Sequence, residues 1–316
     1  MSLDWLPKLA EGNRGALARA ITAVENETAD AQAVLAEVQP RLGCARVIGL
    51  TGSPGAGKST LVSALVAAFR EQDLSVGVVA VDPSSPLTGG AILGDRVRMS
   101  DHAGDPGVFV RSLASRGHVG GLSRTAARVV DVMDAAGRDR VVVETVGAGQ
   151  SEVEIAGLAQ TRIVVVAPGM GDDIQAVKAG ILEIADILVV NKGDQPLAQA
   201  SAAQLGDMVS MTANGTTGGA WSPPVIITTA VTGEGIPELA QAIDAHGRWL
   251  AEHPRGLDPQ GRTRQLVATL AGQRLTDALL ESGDRALEDL LARVARGETD
   301  FDSAAREALK LMSQAP

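Results

Sequence analysis

Residues 49 to 60 read Gly-Leu-Thr-Gly-Ser-Pro-Gly-Ala-Gly-Lys-Ser-Thr, and few folds can accommodate such a stretch together with its flanks. Gly52, four intervening residues and then Gly57-Lys58-Ser59 fit a phosphate-binding loop. The apolar run Val47-Ile-Gly-Leu50 precedes it as a buried strand does, and Leu61, Leu65, Ala68 and Phe69 follow at helical spacing. A strand, a glycine-rich turn and a helix N-terminus in that order make an anion site, because turn N–H groups converge on the oxygens and the helix dipole favours negative charge. The expected nucleotide contacts are therefore Gly52, Ser53, Pro54, Gly55, Ala56, Gly57, Lys58, Ser59 and Thr60, with Lys58 reaching the β- and γ-phosphates and the Ser59 hydroxyl placed for Mg²⁺.

The remainder of the chain supports a sheet around this loop. Apolar runs recur near 46–51, 76–81, 108–110, 140–143, 162–167, 186–190 and 225–229, and amphipathic stretches such as 123–136 and 198–209 lie between them. Continuous apolar strands alternating with helices predict an α/β fold of the P-loop NTPase type, with a mainly parallel sheet covered by helices on both faces. Ligands on such sheets sit at the carboxyl ends of the strands, where the motifs below also fall. Leu17, Ile21, Val24, Val34, Leu35 and Val38 predict one or two helices ahead of the sheet, ended by Pro40. Residues 210–224 read as a loop. Beyond the linker at 253–259, leucines at 266, 270, 279, 287, 290 and 291 predict a helical arm whose apolar face must pack on the core or on a second subunit. The expected domains are an N-terminal helical extension, 1–44, a P-loop domain, 45–253, and a C-terminal helical arm, 254–316.

Composition narrows the partners. A net charge of −10 argues against nucleic acid or an anionic membrane, both of which call for a basic face. Cys44 is the only cysteine and there are four histidines, too few and too scattered for a zinc or nickel site. An early acid at Asp4, no basic segment leading into an apolar one, and no apolar span of membrane length predict a cytoplasmic protein.

Asn191-Lys-Gly-Asp194 directly follows Ile187-Leu-Val-Val190. A carboxylate at a strand end can accept hydrogen bonds from the N1–H and the exocyclic amine of guanine, so Asp194 is the expected base reader. Asn191 and Lys192 would brace the loop and stack on the base, and Thr229-Ala230 lies one strand further on. Three acids are candidates for the metal: Asp82, Asp95 and Glu144. Mg²⁺ takes only one or two carboxylates alongside waters and phosphate oxygens, which favours Asp82 and Glu144. Asp95 fits either a mobile loop or a helix N-cap. In Thr145-Val-Gly-Ala-Gly-Gln-Ser-Glu152, Gly147 and Gly149 would let a loop swing toward the γ-phosphate and Gln150 orient a water there, the alternative being a plain strand-to-helix turn. Gly169 and Gly171 border a second acidic loop in which Asp172 and Asp173 fit either a switch or ordinary helix capping. His118, in a glycine-rich loop, reads as a surface or packing residue, and Trp5, Trp221 and Trp249 as local anchors.

Gly52–Thr60, Val81–Pro86, Gly94–Met99, Glu144–Glu152, Gly169–Gln175 and Asn191–Asp194, taken together, resemble the MeaB/ArgK family of G-protein chaperones of adenosylcobalamin-dependent methylmalonyl-CoA mutase. The resemblance spans nearly the whole chain. It implies a GTPase that gates cofactor loading and protects or reactivates the mutase, with Mg²⁺ as cofactor, GTP and GDP as substrate and product, and no cobalamin bound directly. It also implies a homodimer joined through the C-terminal helices, and switch roles for 82–95, 144–152 and 169–178. The third switch, to which Asp172 and Lys178 would belong, is the one that communicates with the mutase. Lys58, Asp82, Glu144, Gln150 and Lys178 are then the expected catalytic group. Gly193 stands where the family more often has alanine, a change expected to matter little, and Phe301 where tyrosine is usual. The alternatives are a nickel-type metallochaperone GTPase, for which the chain lacks a metal site, and a small-molecule kinase of the arginine-transport type, against which the guanine motif argues.

Overall fold

The computed structural model describes residues 3–82, 99, 102, 104–114, 121–145, 158–169, 184–213, 221–253, 268, 271–272, 275–276, 278–280 and 282–314. The chain divides into two compact units, Met1–Arg255 and Gly256–Pro316.

The first unit is built on seven parallel strands: β1 (Arg46–Gly52), β2 (Val76–Asp82), β3 (Val108–Ala114), β4 (Arg140–Thr145), β5 (Thr161–Val166), β6 (Ile187–Asn191) and β7 (Val225–Thr228). They lie in the order β3-β2-β4-β1-β5-β6-β7. All seven sequence-predicted strands are present. Both faces are buried, which is why the strands read as unbroken apolar runs. On one face Ile48, Leu50, Val78, Val142, Ile163, Val165 and Val189 pack against α3 (Lys58–Arg70) and α6 (Ile236–Glu252). On the other, Val164, Val166, Leu188 and Val190 meet Ala198 and Leu205 of α5 (Ala198–Ala213), while α4 (Gly121–Ala135) covers β2 and β4. The chain builds outward from β1 to one edge and returns through β4. It then crosses to β5 and builds to the other edge. The phosphate-loop strand therefore sits at the switch point of the topology, where a crevice opens at the strand ends.

The predicted helical run ahead of the sheet is two helices, α1 (Arg14–Glu25) and α2 (Ala31–Val38), followed by a single 3₁₀ turn, Gln39–Arg41, at Pro40. The Asn13 side chain caps α1 by accepting from the Ala16 N–H. Both helices pack on α4, and Arg111 of β3 pairs with Glu25. Asp134 of α4 closes the junction: its carboxylate accepts from the backbone N–H groups of Gly43 (2.6 Å), Cys44 (3.0 Å) and Ala45 (2.6 Å), immediately before β1. Hydrogen bonds to a charged acceptor contribute about 1.5–3 kcal/mol each, and removing the acceptor leaves three backbone donors without it, of which Ala45 is buried while Gly43 and Cys44 can turn to water. Asp134→Ala is accordingly expected to destabilise the first unit by about 3 kcal/mol. That corresponds to a fall in Tm of roughly 6–12 °C, readable by calorimetry. A Tm within a degree or so of the parent would mean that the clamp contributes nothing.

Two boundaries differ from the sequence reading. Strand β3 continues to Ala114, beyond the run expected near 108–110. Helix α5 runs on to Ala213, past the point at which a loop was expected. Ser210 is accommodated inside it because its hydroxyl donates to the Gly206 carbonyl one turn back (2.9 Å).

In the second unit, α7 (Arg285–Ala295) and α8 (Phe301–Gln314) bury Leu287, Leu290, Ala304 and Ala308 between them. Asp284 caps α7 by accepting from the Ala286 N–H. Leu291, Phe301 and Leu309 remain exposed.

Candidate functional site

The site begins where β1 ends. Gly52 has φ 138°, and a Cβ there would lie 1.9 Å from the Val165 carbonyl of β5, so only glycine lets the loop leave the sheet at this point. The loop closes at Gly57, φ 83°, immediately before α3. Lys58, in the first turn, folds its ammonium back over the loop and donates to the carbonyls of Gly52 (2.7 Å) and Ser53 (3.0 Å). A buried cation is thereby held over a ring of loop backbone, at the positive end of a helix, in the arrangement that grips a polyphosphate.

Ser59 follows. Its hydroxyl donates to Oε1 of Glu144 (2.8 Å), and both side chains are buried. Glu144 is brought there by sheet register: it stands beside Leu50 of β1 and Ala80 of β2, so the carboxylate lies under the loop. Asp82 closes the neighbouring strand, paired with Ala114. A hydroxyl and a carboxylate in contact are hard oxygen donors of the kind that suits Mg²⁺. Among the described residues no cluster of three or more His, Cys, Asp or Glu is assembled.

The base-side motif is tied to the phosphate loop by one side chain. Asn191, the last residue of β6, is buried, and its amide nitrogen donates to the carbonyls of Ala56 (2.8 Å) and Gly57 (3.4 Å). Its amide oxygen accepts from the Thr228 hydroxyl (3.1 Å) and the Ala230 N–H (3.2 Å). A Cβ on Gly57 would come within 2.6 Å of the Asn191 amide nitrogen, which is a second reason for glycine there. Lys192 then adopts φ 61°, turning the chain sharply, and Gly193 N–H bonds the Thr228 carbonyl (2.9 Å). Asp194 is left exposed at the rim. On the other side Thr229 N–H bonds the Glu234 carbonyl (2.9 Å), closing the short turn that presents Ala230.

The structure thus brings together Gly52 through Thr60, Glu144, Asn191 through Asp194, and Thr229-Ala230 at one end of the sheet. Gly169 ends the described part of the segment after β5, with Leu197 against it. Asp95, Gly147, Gly149, Gln150, Gly171, Asp172, Asp173, Lys178 and His118 lie outside the described residues.

Sequence reasoning missed what sits at the opposite end of β5 and β6. Asp186, fully buried, holds Arg162 through Nε (2.9 Å) and Nη2 (3.0 Å). His246 of α6 bonds the Thr161 hydroxyl through Nδ1 (2.9 Å) and lies 3.5 Å from Asp186 through Nε2. Trp221 donates its indole N–H to the Asp186 carbonyl (2.7 Å), and Trp249 stacks on His246. Thr161, His246 and Asp186 lie in the order of a hydrolytic triad, but all three are sealed from solvent, so the group anchors α6 to the sheet.

Strand order, loop and the Asn191 tie define the class: a nucleotide-binding protein of the P-loop type, with helices on both faces of a parallel sheet. Within that class the chain belongs to the MeaB family, since the profile described as methylmalonyl-CoA mutase-associated GTPase MeaB matches residues 17–284. It is a GTPase, as its relatives are named. A GTPase of Pyrococcus horikoshii is 42% identical, covering 96% of this chain and 95% of its own. GTPase ArgK of Escherichia coli is 44% identical over 60% of this chain and 59% of its own. The mouse protein named methylmalonic aciduria type A homolog, mitochondrial, is 35% identical over 73% of this chain and 59% of its own. A crystal structure described as LAO/AO transport system kinase superposes with a TM-score of 0.72 at 27% identity, covering 98% of this chain and 97% of that one.

Proposed function

We propose that the protein hydrolyses GTP as the timing step of a chaperone cycle on an adenosylcobalamin-dependent methylmalonyl-CoA mutase, gating cofactor loading and protecting or reactivating that enzyme. The observation that carries the reading is the Asn191 bridge between phosphate loop and base loop, in a chain of the family described as mutase-associated. Lys58 stabilises the transferring phosphoryl group, Asp194 selects guanine, and Ser59 with Glu144, joined by Asp82 or Asp95, holds Mg²⁺. When bound, the metal would supply charge neutralisation to the phosphates. The chain's own residues cradle the phosphates, exclude water from the buried Ser59–Glu144 contact and fix the nucleotide's two ends relative to each other. No strong general base stands in this group, so catalysis comes from positioning and electrostatics.

The segments 82–95, 144–152 and 169–178 act as switches, with Gln150 orienting water and Asp172 and Lys178 belonging to the segment that communicates with the partner. The exposed Leu291, Phe301 and Leu309 of the C-terminal hairpin support a homodimer built through it. No helix among the described residues is long and apolar enough to cross a membrane, and the expected setting is the cytoplasm. The kinase reading keeps one support, the description of the structural neighbour.

One assay decides among these. GTP hydrolysis is measured with and without the methylmalonyl-CoA mutase of the same organism, with ATP in parallel. Stimulation of at least roughly tenfold, specific to GTP, is expected, because partners of such switches supply missing transition-state stabilisation. No stimulation removes the mutase as client, and turnover of ATP with a phosphorylated small-molecule acceptor establishes the kinase.

A further inference from the structure

We propose that Ile227 is a positioning residue for base selection: its Cγ2 methyl, seated under Gly193, sets the height at which the loop presents Asp194. This rests on the reading of Asp194 as the guanine contact.

Gly193 is not in the left-handed region that explains most loop glycines; its neighbour Lys192 takes that turn instead. What requires glycine at 193 is space. A Cβ there would lie 2.7 Å from Ile227 Cγ2, 3.1 Å from Thr229 Oγ1 and 3.3 Å from the Thr228 carbonyl. The change from alanine that sequence comparison treats as minor is therefore coupled to the residue beneath it. Ile227 is poorly able to yield. Its Cγ2 sits on a β-branched carbon that is stiff at χ1, and its side chain packs into the cluster around Val190 and Ala198. Its main chain is gripped too, since a Cβ on Gly235 would lie 2.1 Å from the Ile227 carbonyl. From above, the 2.9 Å bond of Gly193 N–H to the Thr228 carbonyl draws the loop down until Gly193 meets the methyl. Loop height is thus fixed by a hydrogen bond pulling down and a methyl group resisting.

Base reading is sensitive to that height. Ordinary carbon contacts lie at about 3.5–4.0 Å, so a methyl at 193 displaces the loop by roughly 1 Å. A recognition group must be held within about 0.5 Å of its productive position. The affected quantity is discrimination at the base, because the phosphate grip belongs to another loop.

The test measures dissociation constants for GDP and for inosine diphosphate, which lacks the exocyclic amine. Gly193→Ala is expected to weaken GDP roughly tenfold and to narrow the GDP preference over inosine diphosphate, consistent with loss of about one hydrogen bond's worth of affinity. Gly193→Ala with Ile227→Ala, which removes the methyl, is expected to recover most of both. Gly193→Ala with Ile227→Val, which keeps a methyl at that branch, is expected to recover neither. Ile227→Ala alone, which covers the case of a Gly193→Ala protein that does not fold, is expected to narrow the preference about threefold through loss of the footing. The proposal is overturned if Gly193→Ala binds GDP within about twofold of the parent, if Ile227→Ala fails to rescue it, or if Ile227→Val rescues equally well. Asp194→Asn separates the two levels. If it leaves GDP affinity unchanged, the base reading has failed and this inference goes with it; if it weakens GDP while Gly193→Ala does not, only the positioning role has failed.

Discussion

Lys58→Ala is expected to lower kcat for GTP hydrolysis by roughly 10²–10³-fold, equivalent to about 2.7–4 kcal/mol of transition-state stabilisation from one preorganised donor. Charge spreads over the equatorial oxygens of the transferring phosphoryl group, and the Lys58 ammonium is the buried cation planted over the loop by the Gly52 and Ser53 carbonyls. Single-turnover hydrolysis at saturating GTP isolates the effect from binding. A rate within about threefold of the parent would remove Lys58 from the catalytic group. The same variant addresses whether hydrolysis matters to the partner: if Lys58→Ala still protects the mutase fully, the protein acts chiefly as a binding module.

Asp194→Asn is expected to cost GTP roughly 10²-fold in affinity while improving xanthosine triphosphate, inverting the preference. Two hydrogen bonds to a charged acceptor, at about 1.5–3 kcal/mol each, are replaced by an amide that donates where the carboxylate accepted. The exposed side chain has no structural duty, since the loop is anchored through Asn191 and Gly193, so fold stability should be unaffected. Titration with fluorescent GDP in competition with each triphosphate gives both constants. Unchanged GTP affinity would sink the assignment of Asp194 to the base.

The strands were readable because strands buried on both faces leave no polar alternation: runs such as Val141-Val-Val143 and Ile163-Val-Val-Val166 can be little else between turn signals. The phosphate loop was readable because its chemistry is local in sequence. Asp134 was not, since its partners Gly43, Cys44 and Ala45 are about ninety residues away and nothing in Val132-Met-Asp-Ala135 distinguishes it from a solvated helix acid. The Asp186–Arg162–His246 group was hidden for the same reason. Trp221 and Trp249 read as separate anchors, whereas folding gathers them around His246, Trp249 stacked on its ring and Trp221 tilted against it. Ile227 under Gly193 shows the limit most clearly, because Gly193 reads in sequence as a minor change, Ile227 is one apolar strand residue among many, and only their distance carries meaning.

The position of β1 has a consequence for how the protein is made. Its two neighbours are β4, where Arg140 pairs with Arg46, and β5, where Thr161 pairs with Ile48. A chain emerging from the ribosome at roughly 5–20 residues per second exposes the glycine loop many seconds before either flank exists. Such long-range pairing is slow to close. Nucleotide therefore cannot template the early chain. It can only reward a sheet already assembled through Ala230, where the base-side contacts are complete, so that guanine nucleotide in the cell acts as a late inspector of folding and not as its nucleus.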